Sequence, residues 1–110
     1  MISIHEKELT PGTIVQHFKR ETLNEDDYYD NKYLYMILYI GRYSETFEKM
    51  VVYRALYDWP ENGVAYGDVF IRPYNMFISK VDHQKYPDIK QQYRFEKVNA
   101  TIESYIKERM

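Results

Sequence analysis

The chain has 110 residues, 45% hydrophobic and 29% charged, which is one globular domain's worth of sequence and excludes disorder along its whole length. Net charge is −2, with 7 Lys and Arg against 9 Asp and Glu in residues 1–55 and 8 against 8 in residues 56–110, so no strong nucleic-acid footprint is present. Cysteine is absent, which removes disulfides, thiolate nucleophiles and Cys-based zinc sites and fits a reducing compartment.

The stretch Met1–Glu8 has neither a basic n-region nor an apolar h-region. Thr10-Pro11-Gly12-Thr13 is turn chemistry, because Pro presets φ and Gly permits a positive φ. A short strand is predicted over Ile14–Lys19, with Val15, His17 and Lys19 on one face and Ile14, Gln16 and Phe18 on the other. Glu21–Lys32 holds Glu21, Glu25, Asp26, Asp27 and Asp30 against a single Lys, and reads as an exposed, mobile acidic loop insertion. Tyr33–Ile40 is apolar, aromatic and β-branched on both faces, which predicts a doubly buried central strand ended by Gly41. That run falls far short of the roughly 20 residues a membrane helix needs. The expectation is a cytoplasmic protein with no membrane partner.

Ser44-Glu45-Thr46 is a polar turn, and Met50–Tyr57 is the returning strand of a hairpin. Asp58–Gly63, with Pro60 and Asn62-Gly63, is a turn-rich connection. Asp68–Arg72 is a strand stopped by Pro73, and Tyr74–Phe77 suits one helical turn begun at that proline. Ile78–Val81 is extended, Asp82–Gln92 is a polar loop and Tyr93–Glu96 is a last strand. Asn99 caps a predicted helix over about 99–109 that buries Val98, Ile102, Tyr105 and Ile106. The sum is one mainly β domain, a small SH3-like barrel or a strongly bent antiparallel sheet with one C-terminal helix. The absence of βα alternation excludes a nucleotide-binding α/β sheet.

No glycine-rich phosphate loop exists, since Gly12, Gly41, Gly63 and Gly67 are scattered. His5, His17 and His83 share no ligand spacing, and Ser44 lacks a nucleophile elbow, so neither a metal nor a cofactor is called for. Arg54 alternates with Met50, Val52 and Leu56 on an apolar face, where a charge needs a partner, a route to solvent or an anion. Tyr53 and Tyr57 lie on the opposite face of that strand, as core or as an aromatic platform. Arg72 precedes the rigid Pro73 turn; it either closes that turn or supplies a second cation. His17 either bonds a backbone carbonyl or acts as base or donor, with Lys19 beside it. Glu45 either bonds its own turn or orients His17 or Arg54. Met76 and Phe77 read as core. The loop tyrosines Tyr28, Tyr29, Tyr66, Tyr74 and Tyr86 suit a binding surface or a cap on a small core.

His17-Phe18-Lys19, Tyr43-Ser44-Glu45-Thr46, Val51–Tyr57, Arg72-Pro73-Tyr74-Asn75-Met76-Phe77 and Arg94-Phe95, in this order, resemble the family called domain of unknown function 1653. The resemblance covers about Thr10 to Val98. It implies a compact, mainly β domain of a bacterium or its phage, with no settled activity and no established catalytic residues. The chain departs from the family pattern in Tyr43, where His is common, in the longer acidic segment and in the helical tail.

Two functions of different classes fit these residues. One is a binding module whose aromatic cleft, built from His17, Lys19, Glu45, Tyr53, Arg54, Tyr57 and Arg72, holds a small ligand, a modified base or a peptide. The other is a small enzyme using His17 and Glu45 in acid–base chemistry on an anionic substrate, with catalytic residues otherwise unknown. A plain homodimer, joined through an edge strand and the terminal helix, is the third expectation. Arg54 and Arg72 are expected in one polar cluster with His17 or Glu45, structural if Glu45 neutralises both and an anion site if it does not. A far-UV circular dichroism spectrum dominated by β signal checks the fold class; a mainly helical spectrum contradicts it.

Overall fold

A computed structural model of the chain describes residues 2–3 and 9–110; the rest of Met1–Glu8, His5 included, lies outside the described residues. Six strands form one sheet: β1 (Ile2–Ser3), β2 (Ile14–His17), β3 (Leu34–Arg42), β4 (Lys49–Ala55), β5 (Val69–Pro73) and β6 (Phe95–Lys97). Their spatial order is β1-β6-β2-β3-β4-β5, and every neighbouring pair is antiparallel. Strands β2 to β5 make a meander, after which the chain returns to lay β6 on the far side of β2. Among the described residues no pairing joins β5 to β1, so the sheet is open and the SH3-like barrel does not form. Closure needs edge strands long enough to meet in register, and β1 has two residues.

Side-chain alternation divides the sheet into two faces. The register Tyr35↔Ala55, Ile37↔Tyr53, Tyr53↔Phe70, Val51↔Arg72 and His17↔Phe95 places all these residues on one face. Val15, Tyr35, Ile37, Val51, Tyr53 and Phe95 are its buried core, joined by Phe77. Phe77 stacks on Phe95 with ring centroids 4.1 Å apart and planes 3° from parallel. It belongs to α2 (Tyr74–Phe77), the one-turn helix that begins immediately after Pro73. The second face carries Ile14 and Leu34, which pack with Leu56 and Val98 against Ile106 of α3 (Ala100–Lys107). Asn99 caps α3 as anticipated, its side chain accepting from the Ile102 N–H at 2.9 Å.

Several expectations give way. The central strand is doubly buried only in its first half. A bulge between Ile37 and Tyr39 shifts the register, Gly41 lies inside the strand, and Tyr39 is 67% exposed. Helix α3 covers the second face over Ile14 and Leu34, and Tyr39 pairs with Val52 farther along that face. Met76 and Tyr105 are exposed rather than core. The acidic segment is structured: Phe18–Thr22 is a 3₁₀ turn, and α1 (Glu25–Tyr29) starts at Asn24, whose Oδ1 accepts from the Asp27 N–H. Glu25, Asp26 and Asp27 fill the first turn of α1, where the helix dipole favours negative charge. Beneath it the buried Arg20 donates to the carbonyls of Lys32 and Tyr28 and lies 4.0 Å from the Tyr28 ring centroid.

The excursion between β5 and β6 is fastened by polar side chains as well as by Phe77. Glu21 accepts from the backbone N–H groups of Lys90 and Gln91, and the buried Glu96 accepts from those of Gln92 and Tyr93. Buried Gln91 donates to the carbonyls of Tyr93 and Gln16. Phe77→Ala is expected to cost about 3–5 kcal/mol and Phe77→Leu about 1–1.5 kcal/mol, read as the shift of the urea midpoint at constant m. An unchanged midpoint for Phe77→Ala would remove the stack from the core.

Candidate functional site

Where the β5–β6 excursion crosses the end of β2, it leaves a cleft of about 380 Å³. The cleft is lined by His17, Phe18, Lys19, Arg72, Lys80, Val81, Asp82, Lys85, Tyr86 and Arg94. Five of these are cations and one is an acid, in a chain whose formal net charge is −2. Among the described residues none of the five forms an ion pair; the pairs present are Lys32–Asp27 and Lys107–Glu103, both elsewhere. Asp82 is occupied locally, since its Oδ1 accepts from the N–H groups of Gln84 and Lys85.

Backbone register and neutral hydroxyls aim the two guanidinium groups. Arg72 shares the core face of Tyr53, to whose hydroxyl it donates from Nε at 3.3 Å, and it lies 5.5 Å from the Phe95 ring centroid. Arg94 immediately precedes Phe95 and donates from Nε to Ser79 Oγ at 3.2 Å. In both, the Nε–H is spent on a neutral oxygen and, among the described residues, the terminal fork has no carboxylate partner. Burial, and next the charge of Arg72, push the Arg94 guanidinium below its ordinary value.

His17 sits at the floor of the cleft and is 8% exposed, packed against Phe18, Tyr33 and Phe95. Among the described residues it bonds no backbone carbonyl, one of the two alternatives its position offered. As N-cap of the 3₁₀ turn, its Nδ1 accepts from the Lys19 N–H at 3.1 Å. The ring proton therefore resides on Nε2, a donor with no partner among the described residues. Burial, followed by the charges of Arg72, Arg94 and Lys19, holds its pKa down to about 3. The ring is a neutral donor at physiological pH.

Of the residues singled out from sequence, the cleft brings together His17, Lys19 and Arg72, with Tyr53 beneath Arg72. The others go elsewhere. Arg54 pairs with Met36 and Val69 on the second face, opposite to Arg72, and lies 5.6 Å from the Tyr66 ring centroid. The expected Arg54–Arg72 cluster therefore does not exist. The apolar face that holds Arg54 is the outer one, and the core side of β4 is that of Val51, Tyr53 and Ala55. Glu45, in the exposed turn between β3 and β4, accepts from the Tyr43 hydroxyl at 2.8 Å and does not line the cleft. Tyr57 is core, its hydroxyl bonded to that of Tyr35 at 2.7 Å. The His17–Glu45 acid–base pair is thus not assembled. Lys80, Lys85 and Arg94 escaped sequence reading. Arg94 alone carried a signal, standing beside Phe95 in a strand-like alternation. Among the described residues no group of three His, Asp or Glu gathers to hold a metal ion, and no helix is long and apolar enough to cross a membrane.

The model of the family described as protein of unknown function, DUF1653, matches residues 13–97. The chain belongs to that family. The match spans β2 to β6 and so contains every residue lining the cleft, while α3 lies beyond it. No curated protein and no solved structure matches this DUF1653 chain.

The buried imidazole makes a prediction. The folded pKa of His17 lies below its unfolded value of about 6.5, so below that pH the unfolded chain binds a proton that the folded chain refuses. Its share of stability is complete above about pH 6.5 and is lost as pH falls toward 3, by up to about 1.4 kcal/mol per pH unit. In NMR titration the His17 ring should show no midpoint between pH 5 and 8. His17→Asn, which keeps an acceptor for the Lys19 N–H, should flatten the acid limb of stability against pH. A His17 midpoint near 6.5 would contradict the buried neutral ring.

Proposed function

We propose that this DUF1653 protein is a binding module and that the cationic cleft at the end of β2 holds a small anionic ligand. The observation that carries this is charge imbalance. Five cations converge on one concavity without a carboxylate partner among the described residues, and His17 adds a neutral donor at its floor. Structural cations are ordinarily paired or dispersed over the surface, because like charges held together repel. Here Arg72 and Arg94 line the same concavity, and burial together with the charge of Arg72 holds the Arg94 guanidinium below its ordinary value. A bound anion relieves the repulsion. The concave shape favours a compact ligand over a long one. The binding-module function is preferred to acid–base catalysis, because His17 Nδ1 is engaged by backbone and Glu45 by Tyr43.

Thermal melts at low ionic strength test the site. Pyrophosphate or citrate at millimolar concentration should raise Tm, by an amount that follows ligand concentration over Kd and shrinks as sodium chloride is added. Arg94→Gln and Lys85→Gln should lose most of the shift. Arg54→Gln, on the opposite face, should keep it. An unaltered Tm with every anion, or equal loss in Arg54→Gln, would dismiss the cleft as a binding site.

A further inference from the structure

Resting on the anion-binding function of the cleft, we propose that its ligand is a phosphoryl dianion, either free orthophosphate or the terminal group of a small phosphomonoester. The number and kind of donors point there. Arg72 and Arg94 each present a guanidinium fork whose Nε–H is already spent on Tyr53 or Ser79. Lys19, Lys80 and Lys85 line the same cleft, and the buried His17 has a free Nε2–H among the described residues. A carboxylate offers about four lone-pair sites on two oxygens, which two guanidinium forks exhaust. A phosphoryl group offers three strong acceptor oxygens and close to two negative charges at neutral pH. It therefore engages forks, ammonium groups and imidazole together, in three dimensions rather than in one plane.

Charge supports the same class. With His17 neutral, the lining residues sum to five positive charges and one negative. Each unit of ligand charge is rewarded, so a dianion outranks a monoanion of the same shape. A nucleic-acid backbone is a poorer fit. Its phosphodiesters are monoanions spread along a line, whereas these cations surround one concavity, and α1 carries Glu25, Asp26 and Asp27 in its first turn. Tyr86, whose ring meets Phe18 edge-on at 5.0 Å, gives one wall an aromatic surface for whatever the phosphate is attached to.

Isothermal titration of the full chain with phenyl phosphate and its near-isosteric monoanion, phenyl sulfate, tests the assignment. At pH 7.5 and low salt, phenyl phosphate should bind at least tenfold more tightly. The advantage should fade toward pH 5, as the phosphate takes up its second proton near pH 6 while His17 stays neutral. Lys85→Gln, an exposed change that should spare the fold, is expected to lower the ratio several-fold. Arg72→Lys, which keeps the charge and removes the fork, should lower it as well. Orthophosphate in the same assay separates the two sources: tighter binding than phenyl phosphate assigns the free ion, weaker binding the ester. Equal affinity for phenyl phosphate and phenyl sulfate, or tighter binding of citrate than of either phosphate, would overturn the phosphoryl assignment and leave a general anion site. Tighter binding of a DNA oligonucleotide lacking terminal phosphates would overturn it in favour of a polyanion surface. No heat and no chemical-shift change with any of these anions would overturn both the phosphoryl assignment and the binding function beneath it.

Discussion

The contact of Phe77 with Phe95 is the interaction on which the rest of the molecule depends. The sheet alone is a meander with a distant return strand, and residues 74–94 must be held against it by contacts of their own. The stacked rings supply the apolar one, with Phe77 fully buried and Phe95 nearly so, and Glu21 and Gln91 add polar ones. Once the rings meet, Pro73 fixes where the chain leaves β5, and β6 is drawn into register beside His17. The cleft lies at the seam so formed. One wall is the end of β5, another the end of β2, and the third is the excursion that Phe77 holds down. Removal of that contact would unfasten the site together with the core.

Polar groups then determine what kind of seam it is. Glu21, Glu96 and Gln91 hold the excursion through its backbone, so those two carboxylates are engaged by N–H groups and neither lines the cleft. Tyr53 and Ser79 hold the two arginines through neutral oxygens. The arrangement orients charge without cancelling it. A side chain held by a hydroxyl keeps its direction and its full charge, whereas one held by a carboxylate keeps its direction and loses its field. Burial beneath these cations keeps His17 uncharged, so the floor of the cleft contributes a directed N–H and no further repulsion.

Much of the fold was legible in the residues. The strand expected over Met50–Tyr57 and found over Lys49–Ala55, the stop at Pro73, the helical turn that follows it and the Asn99 cap each rest on local chemistry: alternation, ring closure and side-chain capping. The charges of the acidic segment predict a loop, whereas its capping chemistry starts a helix. Asn24 followed by three acids is a helix start, and charge repulsion is offset where the dipole receives it. A barrel does not follow from a list of short strands, because the list does not say which two become the sheet edges or whether those edges, here β1 and β5, pair with each other.

The site divides along the same line. Composition and spacing by themselves determined that the chain is mainly β, without cysteine chemistry or a glycine-rich phosphate loop, and they pointed to His17, Lys19 and Arg72 as polar residues in strand-end positions. They did not determine which face of β4 is the core. Both faces of that strand carry apolar residues, and alternation states only that Tyr53 and Arg54 oppose each other. Pairing with β5 decided it, setting Phe70 opposite Tyr53 and Arg72 opposite Val51, and so sending Arg72 inward and Arg54 outward. Nor does any local pattern join Lys80, Lys85 and Arg94 to residues more than sixty positions earlier. That meeting is made by the return of the chain over the sheet. It is a property of long-range packing, in which the burial of two phenylalanine rings, and no feature of the lysines or arginines themselves, determines which charges become neighbours.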